Sequence, residues 1–145
     1  MNSGELHSRI IRDAAELETI LDAIIVSYFT TPTRAPAFME LVLSKLSANA
    51  KVTVVERLPY RRRPRSLMHI ETLRDIVQAR NFLAHTHAVP GGEIPDRVEP
   101  WLYLLSDYPA VYDAHLKSVR RMLRSLLLTR DIAGNRKPVA PRKAQ

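Results

Sequence analysis

The sequence predicts an all-α protein, an antiparallel helical bundle of about four to five helices. Three observations carry that expectation. Apolar residues recur at steps of three or four along most of the chain, prolines and glycines interrupt the rhythm only at intervals, and one short β-branched stretch, KVTVVERL, is the sole candidate strand. A strand without a neighbour leaves backbone amides and carbonyls unpaired, so that stretch is assigned to a short helix. With 145 residues the chain suits one domain. It is expected over 1–132, with a basic tail over 133–145.

From Glu5 to Phe29, the residues Leu6, Ile10, Ala14, Leu17, Leu21, Ile24 and Tyr28 fall on one helical face. TTPTRAP ends that helix, because its prolines lack amide donors and push their predecessors out of the α region. The spacing of Phe38, Leu41, Val42 and Leu46 predicts a second helix from Pro36 to Ser47. After the short helix at KVTVVERL, the segment LPYRRRPR carries too much charge to bury cheaply and reads as an exposed connection. Ser66 is placed as the cap of a helix running to Thr86, with Leu67, Ile70, Leu73, Val77, Arg80 and Ala84 along one stripe. HAVPGGEIP reads as a loop, and a short helical piece is expected around Trp101 to Leu105. A long helix follows from Ala110 to Asp131. Its apolar face holds Val111, Leu116, Val119, Met122, Leu123, Leu126 and Leu127, with Lys117, Arg120, Arg121 and Arg124 outside it. AGNRKPVAPRKAQ has no means of burying itself and is expected to be disordered.

Charge narrows the partners. The 22 Lys and Arg residues against 15 Asp and Glu give a formal charge of +7, which favours polyanions such as RNA, DNA or an anionic membrane surface. The chain has no cysteine, so disulfides and thiolate chemistry are excluded and a cytoplasmic setting is expected. MNSGELHSRI lacks the basic-then-apolar order of a signal peptide, and no apolar run approaches the roughly 20 residues that span a bilayer. A soluble protein with no membrane association is therefore expected.

RNFLAHTH closes the fourth apolar segment with polar residues where a core helix would continue with Leu or Val. On a helix, Val77, Asn81 and His85 form one row and Arg80 lies in the neighbouring one. Burying an arginine there costs several kcal/mol without a counter-charge, so something negative is expected opposite it. Two sources fit: a phosphate group from a ligand, or an internal carboxylate such as Glu71, Asp75 or one on the last helix.

The stretch LRDIVQARNFLAHTH resembles the signature of the HEPN superfamily, in which an arginine and a polar residue precede a histidine; here these are Arg80, Asn81 and His85. The resemblance implies a small all-α bundle with the motif on a late core helix. It also implies a homodimer in which two copies face one cleft, acting as a metal-independent endoribonuclease or an inactive relative. In that chemistry His85 transfers protons, Arg80 holds and neutralises the phosphate, and Asn81 orients the imidazole or holds the phosphate. Attack by a ribose 2′-OH leaves a 2′,3′-cyclic phosphate and needs no cofactor or metal. The reading extends to a toxin or defence factor restrained by an antitoxin or another regulatory protein. Some members of the superfamily carry a tyrosine two positions after the motif histidine, where a partner nucleotidyltransferase modifies it. His87 stands there in this chain. The alternative is a non-catalytic dimer that binds nucleic acid or a protein partner, with the motif tied to internal carboxylates.

Tyr60, Arg61, Arg62, Arg63 and Arg65 form a second candidate site, able to grip phosphates and stack on a base, or else a solvated loop. Arg136, Lys137, Arg142 and Lys143 in the tail add attraction without sequence preference. His85 and His87 face different directions on a helix, and His69 and His115 are remote in sequence, so no metal site is expected. Gly91 and Gly92 are turn residues, with no phosphate-loop pattern around them. Trp101, Tyr103, Tyr108 and Tyr112 are expected to pack over the bundle or a dimer seam, with base stacking as the lesser alternative.

Overall fold

In the computed structural model the described residues are 3–85 and 94–128. They form six α-helices, α1 (Ser3–Phe29), α2 (Ala35–Leu41), α3 (Ala48–Glu56), α4 (Ile70–His85), α5 (Glu99–Asp107) and α6 (Pro109–Leu128). Short 3-10 turns at Leu43–Lys45 and Arg65–His69 lead into α3 and α4. The result is an all-helical bundle without a described strand.

α1 is the central post, packed against α3, α4 and α6. It buries Ile10, Ala14, Leu17, Leu21, Ile24 and Ile25, the stripe that the apolar spacing marks. KVTVVERL is helical, as expected, because Val52 and Val55 reach the core from one side of α3. α4 contributes Leu73, Ile76, Val77 and Leu83, and α6 contributes Leu116, Val119, Met122, Leu123 and Leu126 to the same core.

Between α1 and α6 the side-chain contacts fix direction and register. Arg9 pairs with Asp113 and Glu16 with Arg120, each across a sequence separation of 104 residues. The two helices therefore advance together, side by side and parallel, over that span. Tyr112 fastens them further, donating its hydroxyl to Asp13 Oδ2 at 3.0 Å inside the core.

Two boundaries differ from the sequence reading. The helix expected over Pro36 to Ser47 stops at Leu41, where Val42 adopts φ −118° and ψ −63°, and Leu46 is extended. α2 buries none of its residues, so packing does not hold a longer helix together, while Ser47 is drawn off to cap α3 by accepting from the Ala50 amide at 3.1 Å. Downstream, α4 begins at Ile70 and not at Ser66. Pro64 sets up the Arg65–His69 turn with no side-chain cap, and regular α geometry is established only after it. Of the loop expected over 87–95, residues 87–93 with His87 lie outside the described residues, as does the tail at 133–145, while Ile94 and Pro95 are non-helical as expected. Among the described residues, no helix is long and apolar enough to cross a membrane.

Candidate functional site

Along α4 the row Val77, Asn81, His85 climbs out of the core: Val77 is buried, Asn81 is half-buried and His85 is exposed on the final turn. Arg80 lies beside this row on the side of α1. Its Nη2 donates to Glu18 Oε1 at 3.2 Å, while 30% of the side chain stays open to solvent. The internal carboxylate is thus Glu18, and neither Glu71, Asp75 nor a residue of the last helix takes that role. Glu71 and Asp75 are committed elsewhere, both to Arg97, with Glu71 also 3.4 Å from Arg74 and Asp75 accepting from Trp101 Nε1 at 3.0 Å.

Glu18 has a second client. Its Oε2 accepts from Lys51 Nζ at 2.8 Å, and the same ammonium stands 2.8 Å from Asp22 Oδ1. Glu18 and Asp22 are one turn apart on α1, so both carboxylates face the gap into which α3 points Lys51. Burial of Lys51 pulls its pKa down, but the hydrogen bonds and charges of Asp22 and Glu18 outweigh burial and the net direction is up. Two cations and two carboxylates therefore balance where α1, α3 and α4 meet, with Arg80 as the outermost member.

Arg80 keeps donors to spare. A guanidinium presents five N–H groups in a rigid fork, and Glu18 occupies one edge of it. Arg80 and His85 nevertheless diverge about the α4 axis by roughly 140°, the angle that five residues impose, and stand about 7.5 Å apart along it. A single copy thus spreads the two groups around the helix, with Asn81 between them.

The second candidate cluster is placed as a surface loop between α3 and α4. Arg61, Arg62, Arg63 and Arg65 are exposed and form no ion pair among the described residues. Tyr60 is different, because its hydroxyl donates to the Val55 carbonyl at 2.6 Å and its ring packs against the core. Burial pushes that phenol up to about 12, against the opposing charge of Arg63. Tyr60 anchors the loop, and the arginines project from it.

Of the other aromatic residues, Tyr112 and Trp101 are buried in the bundle, and Trp101 packs edge-on to the exposed His115 at 5.1 Å. Tyr103 and Tyr108 are exposed and meet edge to face, with ring centres 5.7 Å apart. No group of three His, Asp or Glu residues among the described residues is placed to hold a metal ion.

Sequence reasoning missed a third feature, a groove of about 760 Å³ along the α1–α6 seam, lined by six Lys and Arg residues and three carboxylates. Lys117, Arg120, Arg121 and Arg124 are visible in the sequence as the polar side of a long helix. That Arg9 and Arg12 of α1 join them depends on the parallel register of the two helices, which no local pattern encodes.

No protein-family model, curated protein or solved structure matches the chain.

Proposed function

We propose that this protein is a HEPN-like, metal-independent endoribonuclease that works as a homodimer, with Arg80, Asn81 and His85 of each copy contributing to one shared site. The observation that carries the reading is the state of Arg80: a guanidinium held in place by Glu18, still 30% exposed, with an exposed imidazole at the end of the same helix. An arginine serving only as a structural cross-link gains most when its donors are all satisfied internally.

Chemistry follows from the residue types. A ribose 2′-OH attacks the adjacent phosphorus, the bond to the 5′-oxygen breaks, and a 2′,3′-cyclic phosphate remains. One imidazole accepts the 2′-OH proton while an acid protonates the departing oxygen, and two histidines in opposite protonation states complete that pair. Each copy offers one exposed His85 in the motif, so two-fold pairing of α4 ends supplies both. The angular spread of Arg80 and His85 favours the same assembly, since the arginine of one copy and the histidine of its partner can then flank one phosphate. A regulatory protein covering the paired α4 ends would restrain activity in the manner of an antitoxin.

The test is incubation of the purified protein with end-labelled RNA in EDTA, followed by analysis of the termini. Cyclic 2′,3′-phosphate ends that vanish with both His85→Ala and Arg80→Ala, at unchanged fold and oligomeric state, are expected. Undiminished cleavage by the double variant would remove these residues from catalysis. Binding without cleavage is the second reading, favoured by the Glu18 contact, which satisfies part of the Arg80 charge internally. Shifted but intact RNA in the same assay would identify it.

A further inference from the structure

The groove between α1 and α6 divides its charges into two sets. Arg9 is tied to Asp113 and lies 3.5 Å from Asp13, with its guanidinium 5.1 Å from the Tyr112 ring centre. Arg120 donates from Nη2 to Glu16 Oε2 at 3.0 Å, with its Nε 2.7 Å from Oε1 as an ionic contact. These two arginines offset two of the groove's three negative charges and tie its walls together, and the third carboxylate charge leaves the groove with a net charge of +3. What remains is cationic: Arg12 on one wall, and Lys117, Arg121 and Arg124 on the other. All four are exposed and have no ion-pair partner among the described residues.

Their spacing is regular. Lys117, Arg121 and Arg124 follow one face of α6, separated by about 6 and 4.5 Å of helix rise. We infer that this groove is a track for the phosphate backbone of RNA, binding it without regard to sequence. The inference rests on RNA as the substrate of the α4 site and assigns a separate surface to hold the strand.

Three features select a polynucleotide. With Arg9 and Arg120 engaged by carboxylates, four exposed cations stay unpaired along the groove, where a chain of phosphates collects several at once and releases its counterions. Among the described residues no aromatic side chain lines the groove, and Tyr112, whose ring lies under Arg9, is buried and bonded to Asp13, so readout there falls to phosphates and not to stacked bases. A bilayer surface is planar and is bound by a helix that combines cations with a neighbouring apolar face. Here the cations line a concavity, and the apolar face of α6 is buried in the core.

The experiment uses fluorescence anisotropy with a 2′-O-methyl RNA strand, which cannot be cleaved by 2′-OH attack, across a salt series. The triple variant Lys117→Gln, Arg121→Gln, Arg124→Gln is expected to lose about tenfold in affinity near 0.1 M salt and to flatten the log–log salt slope by about 2, the loss of roughly three single-strand contacts. Arg12→Gln, on the opposite wall, should lower the slope by about 0.7. Circular dichroism of the same variants guards against misfolding, and their exposed positions make that control straightforward. Parent-like affinity and slope in the triple variant overturn the inference. So does displacement of the strand by a mononucleotide as effectively as by an oligonucleotide, or binding to phosphatidylserine vesicles with none to RNA. Cleavage is scored separately: groove variants that lose binding in a protein that never cleaves RNA support the track while removing the nuclease. Intact binding by those variants, with cleavage lost in His85→Ala, does the reverse.

Discussion

Arg80 and Glu18, 62 residues apart in sequence, meet at 3.2 Å on the edge of the bundle. The contact joins the motif helix to the central post, and it sets a competition. Any phosphate that approaches Arg80 must share it with a carboxylate already there. A half-exposed ion pair of this kind contributes roughly 0.5–1 kcal/mol.

Removing the Glu18 charge should therefore strengthen phosphate binding at Arg80. Glu18→Gln is expected to tighten an uncleavable RNA strand by roughly two- to fivefold, the factor matching that energy, while lowering thermal stability through the lost Lys51 partner. Anisotropy titration in parallel with a melting curve reads both effects. Weaker RNA binding in the variant would mean instead that Glu18 holds Arg80 in its working position.

Lys51 carries the structural share of the same cluster. It is 5% exposed and faces two carboxylates, each at 2.8 Å. Lys51→Met keeps the volume of the side chain but leaves Glu18 and Asp22 facing each other uncompensated, and should cost about 2–3 kcal/mol. That is less than the 3–5 kcal/mol typical of a fully enclosed broken pair, because both carboxylates keep about a quarter of their exposure. Adding Glu18→Gln to Lys51→Met should restore part of the loss. Chemical denaturation of the three variants decides it, and simple additivity would show that the charges do not interact.

Much of the fold was legible because helical periodicity is a local signal. α1, α3, α5 and α6 appear where the spacing of Leu17 and Leu21, of Val52 and Val55, of Trp101 and Leu105, and of Val119 and Met122 places them. α2 was overextended because Leu41 and Val42, apolar and correctly spaced, stay on the surface. The site was legible only in part. RNFLAH announced that a charge would need an answer, yet its partner sits on a helix at the far end of the sequence, and the nearby Glu71 and Asp75 are taken by Arg97. Pairings of this kind follow from helix packing, which the order of residues along one helix does not contain.

Alkali should unfold the protein before neutral pH or mild acid does. The Tyr112 pKa is driven upward by burial first and by the Asp13 charge second, and Lys51 also has a net upward shift. In the unfolded chain these groups titrate near about 10 and 10.4. Above that range the unfolded state holds fewer protons than the native one, so stability falls as pH rises toward the native values; below it both contributions are fully present. Melting temperatures should stay level up to about pH 9.5 with respect to these groups and then drop. Tyr112→Phe should blunt the decline while removing about 1 kcal/mol at neutral pH, since Asp13 loses its hydroxyl donor. An unchanged alkaline limb in that variant would exclude Tyr112 as its source.

The arginine loop offers a separable contribution to polyanion binding. Tyr60 is bonded to the Val55 carbonyl at 2.6 Å and packed on the core, whereas Arg61, Arg62 and Arg63 project into solvent. Replacing the three arginines by glutamine should therefore lower the RNA salt slope by about 2 without moving the melting temperature. Tyr60→Leu should do the opposite. It removes the hydrogen bond and some ring packing, for a loss of about 1–2 kcal/mol, and leaves the salt slope alone. If Tyr60→Leu instead weakens RNA binding at unchanged stability, the ring is leaving its pocket to stack on a base, and the loop takes part in recognition through more than charge.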